Sequence, residues 1–210
     1  MFGPTTPKWL GSYEFEIQDV IEAIVGCEYG QIINLGCAEG YYAVGLAWRI
    51  PNCRVFAFDT DPLCRMQTRR LAALNNLSGR VTVQGRCSHV DIERLAANHS
   101  LFLIDIEGDE AHLLDPAKAP AIRRADILVE VHEAARSNGL ETSESLLRNR
   151  FETSHTIERR IPSDGSAWIQ RNSQAWHRRL TPVEVRNAVN EYRTGQQIWL
   201  WMQVRKRPTN

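Results

Sequence analysis

The sequence predicts an α/β fold: a doubly wound sheet, mostly parallel, that finishes with antiparallel strands. Three observations carry this reading. First, short and nearly continuous apolar runs, "QIINLG" (31–36), "RVFAFD" (54–59), "VTVQG" (81–85), "LFLIDIE" (101–107) and "ADILVEVH" (125–132), have the pattern of strands buried on both faces. Second, helical patterns near 39–50, 61–77, 89–97 and 109–123 separate these runs, and strand–helix alternation implies a parallel sheet with helices on both faces. Third, the chain changes character near its end. "SHTIERRI" and the closing "QQIWLWMQV" are strand-like with a helix between them, so these two strands are expected to pair antiparallel at the sheet edge.

Taken in order, the first dozen residues, with Pro4 and Pro7, read as an irregular arm. Ile17, Val20, Ile21 and Ile24 then fall at helical spacing. In the helix predicted over 61–77, Leu63, Met66, Leu74 and Leu77 share a face, with Arg70 an awkward member of it. "SESLLRNRF" reads as a helix. In "TPVEVRNAVNEYR", Thr181 and Glu184 have capping-box spacing, Pro182 occupies the first helical position, and Val185, Ala188, Val189 and Tyr192 form an apolar stripe. The expected organisation is an N-terminal arm and helix over 1–30, followed by one main domain over 31–210 with an insertion at 162–180 that holds Trp168 and Trp176.

Composition narrows the function. A chain of 210 residues suits one domain with a full core, and 43% hydrophobic with 24% charged residues is the balance of a soluble globular protein. Net charge is zero, which argues against general nucleic-acid binding. No apolar run approaches the ~20 residues of a membrane span, and the first residues lack a signal-peptide core. The five cysteines (27, 37, 53, 64 and 87) are odd in number and have no metal-type spacing. That pattern points to free thiols in a reducing compartment, and the expected location is the cytoplasm. "RKRP" (205–208) is too short to argue nucleic-acid binding.

The stretch "IINLGCAEGYYAVGLAWR" (32–49) is the first with chemical content. Glycines 36 and 40 stand where a strand becomes a helix, a place where a ligand approaches the backbone closely. The dinucleotide fingerprint fails, because Ala38 stands at its middle glycine and the bulky Tyr41 at its last. Glu39 inside the loop is unwelcome beside a diphosphate and harmless beside a cation. Asp59 ends the second predicted strand, 19 residues after Gly40, where a carboxylate can accept both hydroxyls of a ribose. The competing role for Asp59 is a helix N-cap, which Asp61 before Pro62 fills as well. Loop and carboxylate together favour a nucleoside ligand without a diphosphate.

Taken together, "INLGCAEGYYAVGLA", "VFAFDTDP", "VTVQGRCS", "LFLIDIEGDE" and "ILVEVHE" resemble the class I S-adenosylmethionine-dependent methyltransferases, and "DIEGDE" with "VEVH" is similar to the FkbM-type family. The resemblance covers roughly residues 30 to 160 and implies a Rossmann-like sheet of about seven strands with an antiparallel last strand. By resemblance, Gly36, Cys37, Ala38 and Gly40 line the methionine and ribose parts of the cofactor, and Asp59 binds the ribose. Arg86, Cys87 and Ser88 lie near the adenine, Asp105 faces the methionine end, and Asn34, Glu39 and Thr60 complete the cofactor set. Two departures stand out. Asn34 replaces an acidic residue common in the class, and Ala38 replaces its middle glycine.

The second chemical stretch is the polar cluster. Asp105 and Glu107 are two apart, as are Glu130 and His132 on the next strand, so all four can converge at the carboxyl edge of the sheet. Buried carboxylates are costly unless paired or bound to a cation. Three readings follow: a satisfied hydrogen-bond network; an active site in which His132, Asp105 or Glu107 removes a proton from a substrate hydroxyl; or a magnesium or manganese site formed by Asp105, Glu107 and His132. Tyr13 and Glu14 are candidates for a lid over the cofactor or for packing. Trp199 and Trp201 are candidates for core or interface, and Trp168, Trp176, His155 and His177 for a substrate pocket.

The expectation is a methyltransferase acting on a hydroxyl of a small molecule or saccharide, with no nucleic-acid or membrane partner. A degenerate methyltransferase fold that holds cofactor or a partner without catalysis is the alternative. A nicotinamide oxidoreductase is disfavoured by Tyr41 and by the antiparallel finish.

Overall fold

The computed structural model describes residues 5–132, 142–172, 179–193 and 197–205. Trp176, His177, Glu133 and the "KRP" of the basic tail lie outside these. Helix α1 (Thr5–Leu10) and a 3-10 turn (Phe15–Ile17) lead into α2 (Gln18–Gly26). Five strand–helix units follow: β1 (Gln31–Leu35) with α3 (Tyr41–Arg49), β2 (Arg54–Phe58) with α4 (Pro62–Leu74), β3 (Val81–Gln84) with α5 (His89–Leu95), β4 (Ser100–Ile104) with α6 (Glu110–Leu113), and β5 (Asp126–His132) with α7 (Ser143–Phe151). The chain closes with β6 (His155–Arg160), α8 (Ser166–Arg171), α9 (Pro182–Val189) and β7 (Gln197–Val204).

The seven strands form one sheet in the order β3-β2-β1-β4-β5-β7-β6. β1 to β5 pair in parallel, and β7 runs antiparallel to both β5 and β6. β7 thus slots between β5 and the edge strand β6, as the two closing apolar runs led one to expect. Leu35 stands opposite Phe58 on one side and Ile104 on the other, so β1, β2 and β4 end level with one another. The carboxyl edge is therefore a single rim on which three loops meet.

Successive strand residues bury on opposite faces, as the pleat requires. Ile33, Phe102, Ile104, Ile127, Val129, Leu200 and Met202 pack with Ile92, Leu147 and Phe151 on one side. Ile32, Val55, Leu101, Leu103, Leu128, Trp199 and Trp201 pack with Ile17, Val20, Ile24, Leu46 and Ala72 on the other. Both tryptophans of β7 are therefore core. His155 is also core: it is fully buried, with Nε2 2.9 Å from the Ala125 carbonyl and Nδ1 2.8 Å from the Ser154 hydroxyl. No helix among the described residues is long and apolar enough to cross a membrane.

Several local expectations are corrected. The arm carries helix α1. The helix expected over 109–123 is two pieces, α6 and a 3-10 turn at Pro120–Arg124, because Pro116 and Pro120 lack the N–H that a continuous helix needs. On α4 the apolar face was misassigned. Leu63, Met66 and Leu74 are exposed, whereas the small Cys64, Thr68 and Ala72 face inward, as the tight packing of α4 against the loop after β1 demands. Helix α9 starts at its capping box but stops at Val189, leaving Tyr192 exposed. β4 ends at Ile104, so Asp105 and Glu107 belong to the following loop and not to a strand face.

Among the described glycines, Gly36 leaves the least room for a side chain. Its φ is +76°, and a Cβ there would sit 1.6 Å from the carbonyl oxygen of Asp105. Gly36→Ala is expected to cost about 3 kcal/mol or more, combining left-handed strain of roughly 1–2 kcal/mol with a backbone clash. Urea denaturation measures this, and a loss below about 1 kcal/mol would show the crossing to be loose.

Candidate functional site

The loop after β1 turns on itself. Gly36 and Cys37 donate their N–H groups to the Phe58 carbonyl at 2.9 and 3.0 Å, and Gly40, at φ +97°, opens α3. Ala38 between them holds φ +45°, a left-handed conformation that normally favours glycine. The strain presents the Ala38 N–H to Asp59 Oδ2 at 2.9 Å. Asp59 Oδ1 accepts from the Asp61 N–H at 2.8 Å. The α4 N-cap is Asp61, whose carboxylate accepts from the Leu63 N–H at 2.7 Å. Asp59 is therefore not spent as a helix cap. Each of its oxygens holds one backbone bond, and a carboxylate has about four acceptor positions, so room for two hydroxyls remains.

These groups line a cavity of about 550 Å³, the size of an ordinary small-molecule site. Gly36, Ala38, Asp59, Thr60, Cys87 and Asp105 line it, together with Arg86 and Glu107. Five acidic residues line it, Asp59, Asp61, Asp105, Glu107 and Asp109, against one arginine, Arg86, which is 3.4 Å from Asp109.

The remaining expected cofactor residues are near the cavity but not on its wall. Asn34 is buried and donates to the Leu103 carbonyl at 3.3 Å, leaving its Oδ1 without a partner. The Cys37 thiol turns to Thr68 Oγ1 at 3.5 Å, and burial pushes its pKa up to about 11. Glu39 pairs with Lys8 at 2.5 Å, tying α1 to the loop. Gly40 leaves space for Thr68, whose atoms would lie 3.1–3.2 Å from an added Cβ. Ser88 is the N-cap of α5 in a capping box with Asp91.

Beside the Asp105 end of this cleft, the polar cluster converges on His132. Its Nε2 lies 3.4 Å from Glu107 Oε2, 3.5 Å from Glu130 Oε2 and 3.9 Å from Asp105 Oδ1. Glu107 reaches it from a left-handed residue, φ +58°, followed by Gly108 at φ +112°. Neither His132 Nε2 nor Asp105 Oδ1 has a hydrogen-bond partner, although both atoms are buried. Asp105, Glu107 and His132 can each turn one donor atom to within 4.8 Å of the others, and so can Glu14, Asp105 and Glu130.

Sequence reasoning missed two parts of the cluster. Glu110, fully buried, bonds His132 Nδ1 at 2.9 Å. Arg193 gathers Glu130 and Glu191 at 2.9 Å, Glu16 at 3.1 Å and Glu14 at 3.8 Å. The one usable signal was electrostatic: a buried Glu130 demanded a counter-charge. Glu14 and Tyr13 pack against α3. Glu14 is buried and accepts from the Tyr42 hydroxyl, Tyr13 meets Tyr41 edge-on at 5.3 Å, and both line a separate cavity between α2 and α3.

Charges and burial set the protonation of these groups. Burial raises Glu14 to about 8 against the pull of Arg193. Burial also raises Asp105, and raises Glu130 further through the neighbouring Asp105 carboxylate. For His132, burial works downward, but the Glu110 bond and the surrounding carboxylates outweigh it and the net shift is upward.

No protein-family model and no curated protein sequence matches the chain. Solved structures do. The MccD protein superposes with a TM-score of 0.53 over 92% of this chain and 97% of its own, at 14% identity. Cofactor-bound Rv0187 from MTB gives 0.54 over 90% of this chain and 79% of its own, at 14% identity. The O-methyltransferase TomG from Streptomyces achromogenes, solved with SAM, gives 0.50 over 73% of this chain and 82% of its own, at 12% identity. The chain has the Rossmann-like methyltransferase fold.

The raised groups fix a pH dependence. A group whose folded pKa lies above its unfolded one stabilises the fold below the unfolded value, and that stability is lost as pH rises through the folded value. For Glu14 the window runs from about 4.3 to about 8. Ligand-free protein is therefore expected to lose stability between pH 5 and 9 (roughly the span of these shifts), and Glu14→Gln to lose less over the same interval. Urea midpoints at the two pH values test this. An identical loss in wild type and variant would overturn it.

Proposed function

We propose that this chain is an S-adenosylmethionine-dependent methyltransferase that transfers the methyl group to a hydroxyl of a small molecule or saccharide. The observation that carries the reading is the charge of the cleft. With Arg86 paired to Asp109, four acidic residues of the lining are left without a cation there, a balance that repels a diphosphate and suits a cationic nucleoside. Asp59 offers that nucleoside two free acceptor positions beside a backbone loop held close by Gly36. The likeness to a SAM-bound O-methyltransferase supports the same reaction class. The FkbM-type resemblance of "DIEGDE" and a location in the cytoplasm belong to this reading as well.

When bound, the cofactor supplies an electrophilic methyl group on a sulfonium that leaves as a neutral thioether. The chain's own tasks are then positioning, exclusion of water and proton removal. Asp59 and Thr60 hold the sugar, Arg86 and Cys87 flank the base, and Asp105 faces the charged end. Asn34, Gly36, Cys37, Ala38, Glu39, Gly40 and Ser88 shape and brace the loops that present these groups. His132 Nε2 takes the acceptor hydroxyl's proton, with Asp105 and Glu107 holding the resulting imidazolium. Asp105, Glu107 and His132 also fit a divalent ion, because their two orphaned donor atoms and their spacing of 3.4–3.9 Å leave a gap between acceptors. Magnesium or manganese there would acidify a bound hydroxyl.

A cofactor-holding module without catalysis is the second reading. The uncharged Asn34, turned to the Leu103 carbonyl, favours it.

Calorimetric titration is expected to show binding of S-adenosylmethionine and its demethylated product, and none of NAD. Asp59→Asn is expected to weaken the cofactor at least about tenfold, some 1.4 kcal/mol. Tight NAD binding, or an unchanged affinity in the variant, would remove the reading. An acceptor screen by mass spectrometry, with and without a chelator, then tests transfer. His132→Gln is expected to slow it roughly 10²–10⁴-fold at unchanged cofactor affinity. Binding without transfer across the screen would favour the second reading.

A further inference from the structure

We infer that Glu110 is a positioning residue that holds His132 in the tautomer and ring pose that turn its Nε2 lone pair toward Asp105 and Glu107, two residues of the cleft wall. The inference rests on the proposed role of His132 and adds to it the part that sets the histidine's direction.

Glu110 opens α6 and is fully buried. The left-handed pair Glu107 and Gly108 reverses the chain directly before it, bringing the carboxylate under the end of β5. Glu110 Oε1 accepts from the Gly108 N–H at 2.9 Å and lies 2.9 Å from His132 Nδ1. An oxygen already serving as an acceptor there calls for the hydrogen on Nδ1. The opposite tautomer would set the Nδ1 lone pair against the same oxygen at the same distance, and repulsion excludes it. The neutral ring therefore has one basic position, Nε2.

Among the described residues that position has no bonded partner. Glu107, Glu130 and Asp105 surround Nε2 at 3.4, 3.5 and 3.9 Å, and it bonds to none of them. The lone pair stays unsatisfied until a proton or cation enters the gap, and Glu110 gives the geometry its sense. The described charged groups nearby are engaged elsewhere. Arg193 serves the far oxygen of Glu130, and Arg150 on α7 bonds the carbonyls of Ala111 and Leu114. Gln197 opposite His132 on β7 is uncharged. Glu110 also keeps its second oxygen buried without a partner. Packing alone gives no reason to retain such a carboxylate.

The test is nitrogen NMR of histidine-labelled full-length protein, with the His132 signals identified by their loss in His132→Gln. Above its pKa, wild-type His132 is expected to show a protonated Nδ1 and an unprotonated Nε2. Glu110→Gln is expected to admit the other tautomer, because an amide can donate as well as accept. Glu110→Asp is expected to restore the wild-type tautomer in part. A wild-type ring carrying its neutral-state proton on Nε2 overturns the inference, even if every Glu110 variant fails to fold. An unchanged tautomer in folded Glu110→Gln overturns it too. If S-adenosylmethionine does not bind while the nitrogen signals are as expected, the proposed reaction falls and the positioning role stands.

Discussion

The backbones of Gly36 and Asp105 come so close that no side chain fits between them, and the arrangement of the cleft follows from that contact. β1 and β4 are parallel neighbours that end level at Leu35 and Ile104, so the loops leaving them must diverge or touch. Here they touch, with the Asp105 N–H donating to the Leu35 carbonyl at 3.0 Å. One loop then runs outward as the Ala38 turn against Asp59. The other runs toward β5 and delivers Glu107 and Glu110 to His132. The nucleoside-type acceptors and the acid–histidine cluster are thus two sides of one backbone crossing, and neither can move without the other.

The buried charge is divided in two. On the inner side, Arg193 neutralises Glu16, Glu130 and Glu191 at about hydrogen-bonding distance and stands near Glu14. This ties the 3-10 turn before α2, the end of β5 and the segment after α9 into one block. On the outer side, among the described residues, Asp105 and Glu107 find their ion-pair partner in His132, and Asp105 also bonds Glu130. Buried carboxylates without a fixed partner raise their pKa or await a mobile cation. The raised Asp105 and Glu130 show the first response in the ligand-free chain. A sulfonium or a metal ion would bring the second.

Most of the fold was legible because burial on both faces leaves unbroken apolar runs, and the strands expected at 31–36, 54–59 and 81–85 lie within a residue of β1, β2 and β3. Helix faces were less legible. On α4 the loop beneath required small residues, so periodicity selected Leu63, Met66 and Leu74, which face solvent. The cleft was legible where strand ends dictate it, as at Gly36 and Asp59. Asp105 and Glu107 were rightly brought together for a reason that does not hold, since they meet through a loop reversal and not through the pleat. Glu110 escaped because its role depends on that reversal. Arg193 escaped because the residues it joins lie far apart in sequence.

The hexapeptide "DIEGDE" shows why such a loop reads poorly by pattern and clearly in three dimensions. Each position answers a different demand. Asp105 forms the cleft wall, and its backbone fills the space that Gly36 leaves. Ile106 packs on the core beneath and fixes the height of the loop. Glu107 accepts a left-handed conformation, at a cost of roughly 1–2 kcal/mol for a residue with a Cβ, and that conformation carries its carboxylate back over His132. Gly108 continues the reversal where a side chain would add to the strain and donates its N–H to Glu110. Asp109 turns outward to Arg86. Glu110 passes under the ring. The left-handed Glu107 and the buried Glu110 thus act from opposite sides of one ring, the first bringing its carboxylate to Nε2 and the second bonding Nδ1. The histidine's pose follows from the reversal of this loop more than from β5, the strand that carries it.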